Sequence, residues 1–163
     1  MQNGKLSHVE AVESDLTLWQ VVANTINGEK VYSLVNKATN TSLSFDTPTA
    51  EKAGAYNSKA TVTYFTAEQA TTTEDRDQLK VYGVNDGYLV YNTGNNSFFV
   101  DTWSGSSFAH SGNTNLALSL EKVGSNVVEA SELNKNLGSN AGFRIQIGNV
   151  VNNSFVAYTN LSE

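Results

Sequence analysis

The sequence predicts an all-β protein made of three similar units, and three observations carry that prediction. A phrase, YSLVNKATNTSLSFDT at residues 32–47, returns as YLVYNTGNNSFFVDT at 88–102 and, more worn, as IQIGNVVNNSFVAYT at 145–159. Longer runs of period-two alternation lie between the phrases: LTLWQVVA at 16–23, ATVTYFTA at 60–67 and LALSLEKV at 116–123. The segments between runs are rich in Asn, Thr, Ser and Gly, which make turns rather than helices.

Each phrase reads as strand, polar turn, strand. Setting the three in register places Asn36, Asn92 and Asn149 at the end of the first run and Ser42, Ser97 and Ser154 at the start of the second. The serines recur at intervals of roughly 56 residues, a regularity that decides architecture before any local reading does. Asn40, Asn95 and Asn152 occupy the turns because Asn tolerates left-handed backbone and bonds its own main chain. They also open N-x-S sequons, but turn chemistry explains the recurrence without glycosylation.

Short strands are expected around 52–57 and 107–110, with His8 and His110 in equivalent ones. No long strand follows the third phrase, so the N-terminal segment, residues 5–12 and 16–22, is expected to supply the missing copy and to meet the C-terminal end. Asn27-Gly28 marks a tight turn. Helical signals are confined to two insertions. SNVVEASELNKNLG at 125–138 has a capping Ser and a terminal Gly, and TTTEDRDQLK at 71–80 is acidic early and basic late. About twelve short strands in three units, closed by the two ends, describe a β-trefoil. With 163 residues it would form a single domain, its units spanning approximately 1–47, 48–102 and 103–159.

Composition narrows the function. The net charge is −6, and no Lys/Arg cluster offers a surface to nucleic acid or an anionic membrane, so neither is expected as a partner. No apolar run approaches the ~18 residues of a membrane span, and no membrane insertion is expected. Charged residues make up only 16% of the chain, and Asn, Thr and Ser supply the polar surface instead. There is no Cys, hence no disulfide or thiolate site. The two histidines, with no H-E-x-x-H, G-x-S-x-G or phosphate loop, leave nucleophilic and metal catalysis without their usual parts. The acidic group Glu68, Glu74, Asp75 and Asp77 reads as a solvated loop rather than an acid-base pair. No enzyme, cofactor or metal is expected.

Trp19, Tyr32, Leu34, Val35, Asn36 and Leu43, within LWQVVANTINGEKVYSLVNKATNTSLSF, resemble the ricin-type lectin-like repeat, in which an aromatic-bearing strand precedes a y-x-l-v-N hairpin. The match is good over 16–45, fair over 88–102 and faint over 143–159. The resemblance implies a β-trefoil scaffold, glycan or cell-surface polysaccharide as the partner, and an extracellular, cell-surface or periplasmic location among other domains of a bacterial secreted or surface protein. This chain departs from the sugar-binding members at the position after the hairpin Leu, where Ser44, Phe99 and Val156 stand in place of Asp, and at the Q-x-W signature, where Thr17 precedes Leu18-Trp19. The family's galactose-type pocket does not carry over.

Four residues remain as ligand-binding candidates. Trp103 directly follows the second phrase, in DTWSGSS, where an exposed indole would form a platform for the apolar face of a sugar. Asp46 and Asp101 share a place at the exits of two phrases, and Asn92 lies at the intervening turn; a carboxylate and an amide beside an aromatic are what saccharide hydroxyls require. Trp19, inside an alternating strand, is expected in the core. The expected function is a non-enzymatic carbohydrate-binding or adhesive module, the alternative a structural or protein-protein interaction domain.

Overall fold

The structure, a computed structural model, describes residues 5–9, 14–66, 79–110, 115–122, 128–129, 143–147 and 157–162. These residues are all-β, with no helix among them. The strands are β1 (Lys5–Val9), β2 (Leu18–Ile26), β3 (Glu29–Asn36), β4 (Gly54–Ala55), β5 (Gly87–Asn92), β6 (Ser97–Thr102), β7 (Asn115–Lys122), β8 (Val128–Glu129), β9 (Phe143–Ile147) and β10 (Ala157–Ser162). Single bridges add extended points at Ser42, Ser44, Phe45, Tyr56, Val62, Phe65, Lys80 and Val81.

The longest hairpin follows from its sequence. β2 and β3 pair from Trp19 opposite Asn36 to Ile26 opposite Glu29, and the β-branched residues along both suit a pleated surface. Asn27 (φ 51°) and Gly28 (φ 80°) make the two-residue turn between them, whose twist matches that of the flanking strands.

The expected helix at 125–138 is corrected where the structure describes it. Val128 and Glu129 form β8, which runs parallel to Val22 and Ala23 of β2; the ladder with β2 satisfies the backbone of this short segment, and β-branched Val128 suits a strand better than a helical turn. The rest of that segment, and residues 71–78 of the other expected helix, lie outside the described residues. Lys80, at the end of the latter, is extended and bridged to Tyr88.

The pairings repeat in one order three times. A long strand pairs with a later one: β2 with β3, the segment at Phe65 with that at Val81, and β7 with β9, the short β8 between them pairing with β2 instead. That second strand pairs with a third, through Val35 and Ser42, through Lys80 and Tyr88, and through β9 and β10. The third then pairs with a short fourth: Phe45 with Tyr56, β5 with β6, and β10 with β1. In the last set the fourth strand comes from the other end of the chain, with Lys5 opposite Ser162 and His8 opposite Thr159. Pairings also close a circuit from β2 through β3, Phe65, Val81, β5, β7 and β9 back to β2, which leaves no open sheet edge along it.

This order corrects one alignment. The phrase at 32–47 joins second and third strands, whereas the phrase at 88–102 joins third and fourth. The counterpart of Leu34 and Leu43 is therefore Leu79 and Leu89; in each couple the later amide donates to the earlier carbonyl, at 2.8 and 3.0 Å. All four leucines are buried in the main core. Phe45 opposite Tyr56 matches Tyr91 opposite Phe98, so Asp46 corresponds to Asn92 and not to Asp101. The phrases look alike because their turns share one local chemistry. Asn36 Oδ1 accepts the amides of Ala38 and Thr39, Asn92 Oδ1 accepts those of Gly94 and Asn95, and each turn ends in a left-handed Asn, Asn40 (φ 55°) or Asn96 (φ 53°). In the second turn the left-handed residue is Asn96 rather than the expected Asn95.

Trp19, fully buried as expected, packs with Leu34, Leu43, Phe65, Leu79 and Tyr91 in the main core. Tyr88, Val90, Phe99 and Phe108 form a second, smaller cluster on the opposite face of the β5–β6 hairpin, because side chains alternate across a strand. Among the described residues no helix is long and apolar enough to cross a membrane.

Candidate functional site

Asp101 sits near the end of β6 with no solvent exposure. Its Oδ1 accepts from the Thr102 amide at 2.9 Å and from His110 Nδ1 at 2.8 Å, and its Oδ2 accepts from the His110 amide at 2.8 Å. A buried carboxylate needs such donors, and here they tie down the loop that returns to β6. The hydrogen bond to Asp101 raises the His110 pKa above its ordinary value; burial opposes the rise, while the Asp101 charge and a ring bond to the Ala50 backbone add to it. Asp101 therefore engages His110 and the Thr102 amide with both carboxylate oxygens and does not present them to a ligand. His110 follows the bridge from Trp103 to Phe108 and lies in no strand, unlike His8 on β1, so the expected equivalence of the two histidines does not hold.

Asn92 is also turned inward, buried at 2% exposure with its carbonyl closing the β5–β6 turn. Trp103 is half-buried. It stacks edge-on against Phe108 at 5.0 Å between ring centroids, packs on the second cluster, and donates its amide to Asp86. The indole is held by its neighbours, with part of its surface at the solvent.

Asp46 is placed differently. It is exposed and lines a groove of about 360 Å³ together with Thr47, Thr61, Tyr64, Tyr82 and Val84. Asn57 fixes it: its Nδ2 donates to Asp46 Oδ1 at 2.9 Å, while its own backbone carbonyl accepts from Ser44 Oγ at 2.8 Å. The described residues give Asp46 Oδ2 no hydrogen bond. Gly54 is required behind this wall, since a Cβ there would lie 1.9 Å from the Asp46 carbonyl oxygen, so only Gly lets β4 approach so closely. The floor is apolar, formed by Phe45, Val81 and Val100 from the core side.

The four expected residues thus do not converge. Trp103, Asp101 and Asn92 do not line the groove. Tyr64 and Tyr82 were missed: Tyr64 looked like one more residue of an alternating strand, and Tyr82 belongs to no repeated phrase. The available signal was the turn sequence GVNDG after Tyr82, where Gly83 (φ 81°) and Asp86 (φ 53°) adopt left-handed backbone and turn the chain back after the tyrosine. Among the described residues no group of three His, Cys, Asp or Glu is arranged to hold a metal ion. No family model matches this chain, and no curated protein or solved structure is significantly similar to it.

Proposed function

We propose that this chain is a non-enzymatic carbohydrate-binding module on a β-trefoil scaffold, presented outside the cell as part of a secreted or surface protein. The threefold order of strand pairing supports the scaffold. The binding reading rests on one observation: a shallow groove lined by Asp46, whose carboxylate Asn57 holds, and by Tyr64 and Tyr82 over an apolar floor. A carboxylate oxygen accepts hydroxyl hydrogen bonds, an aromatic ring takes the apolar face of a sugar, and threonine hydroxyls serve as either donor or acceptor.

A glycan array probed with the native protein, Asp46→Asn, Tyr82→Ala and Trp103→Ala tests the proposal. Retention that is lost in Asp46→Asn and Tyr82→Ala and kept in Trp103→Ala supports the groove; loss in Trp103→Ala alone moves the site to the β6 exit. No retention by the native protein favours the second reading, a structural or protein-protein interaction domain. That reading draws on the inward-turned Asp101 and Asn92, which serve the fold.

A further inference from the structure

Beside the Asp46 groove runs a second trough of about 340 Å³, bordered by Glu29, Thr66, Lys80 and Asp86. The two share Val81, Tyr82 and Val84, so they adjoin along these residues. Val81 and Tyr82 belong to the extended segment that is bridged to Phe65 through Val81 and to Tyr88 through Lys80. Acceptor carboxylates stand on both sides: Asp46 in the first trough, Glu29 and Asp86 in the second, all exposed. Among the described residues Lys80 is the single cation lining either trough.

Building on the carbohydrate reading above, we infer that the ligand is a neutral, linear oligosaccharide that lies across both troughs and over Tyr82, rather than a single terminal sugar. Two connected shallow sites with an aromatic at their junction suit a chain whose successive rings repeat the same contacts. A pocket for one terminal residue would instead be closed on most sides. Among the described residues three carboxylates stand against one lysine, a balance that repels uronic or sialic acid groups and sets the sign of the discrimination. Each extra ring engaged after the first binds as a tethered group and adds affinity without a new association step.

The test is calorimetry with a ladder of neutral homo-oligosaccharides from the disaccharide upward, and with an acidic oligosaccharide of matched length. Affinity is expected to climb by about tenfold or more up to a plateau length and to be much weaker for the acidic chain. Asp86→Asn, which keeps a residue that tolerates left-handed backbone, is expected to weaken long chains and leave the disaccharide unchanged. Asp46→Asn weakens every length. Equal affinity at all lengths, or a preference for the acidic chain, overturns this inference and leaves the carbohydrate reading standing. Absence of binding at every length overturns both.

Discussion

His110 Nδ1 donates to Asp101 Oδ1 at 2.8 Å, and the same carboxylate receives the His110 amide on its other oxygen. The side chains are 22% and 0% exposed, so the pair joins a solvent-touching loop to the buried end of β6. Replacing Asp101 by Ala removes three acceptor contacts and is expected to lower unfolding free energy by about 3–5 kcal/mol. Urea denaturation measures it. A loss below ~0.5 kcal/mol would mean that the loop is held by other means.

The same pair makes stability depend on pH in a definite direction. His110 holds its proton more tightly in the folded state than in the unfolded chain, so its contribution is complete below the ordinary histidine pKa of about 6.5 and fades as pH rises through the elevated folded value. Native protein and His110→Gln are therefore expected to differ most in mildly acidic solution and to converge toward alkaline pH. Denaturation midpoints across that range provide the check; a gap that widens with pH contradicts the assignment.

Thr159 occupies the interior at 1% exposure, and its hydroxyl has no hydrogen-bond partner among the described residues. Continuing the β9–β10 register from Ala157 opposite Ile147 brings it opposite Ile145, where the other two sets of strands hold leucine. Thr159→Val keeps the shape and removes the stranded polar group, so it is expected to stabilise by about 1–2 kcal/mol. A destabilised variant would point to a buried water on that hydroxyl.

Asn36 supports the first turn from inside, its Nδ2 donating to the Leu16 carbonyl at 2.6 Å and its Oδ1 accepting from two amides. Asn36→Ala is expected to cost about 2–3 kcal/mol by leaving those groups unsatisfied. At Asn40, with φ 55°, Gly is tolerated and Ala costs about 1 kcal/mol. Thermal unfolding should find Asn36→Ala the least stable, Asn40→Ala next and Asn40→Gly closest to the native protein; equal values for Ala and Gly at position 40 would rule out a backbone origin.

Tyr91 links the N-terminal strand to the β5–β6 hairpin. Its hydroxyl has one proton, given to Asn96 Oδ1 at 2.8 Å, so His8 Nδ1, 3.0 Å away, is the donor in the other contact. Burial raises the phenol pKa and keeps it protonated. Tyr91→Phe is expected to speed amide exchange in β1 and β10 about tenfold while leaving β2 and β3 unchanged. Uniform acceleration would show a global effect instead.

Much of the local structure was legible before any fold was known. Alternation found β2, β5, β6 and β7 to within a few residues, Asn27-Gly28 gave the tight turn, and Trp19 went to the core. Val128 and Glu129 were misread because an apolar residue shortly after a capping Ser satisfies a helix and a short strand equally, and only pairing with β2 decides between them. The candidate site was less accessible. Asp46 and Asp101 end similar phrases, yet one lines an open groove and the other is sealed beneath His110, because their strands hold different places in the pairing order. Tyr82 reaches the groove through contacts with residues distant in sequence, which no local pattern records.

What the sequence by itself determined is therefore the chemistry of each turn and the alternation of each strand, since those hydrogen bonds and faces close within a few residues. Only the tertiary structure decided which strand follows which around the circuit. With that it decided whether a given Asp meets solvent or is covered by a histidine, because pairing across the chain, from Lys5 to Ser162 at its extreme, sets the register that turns each side chain inward or outward.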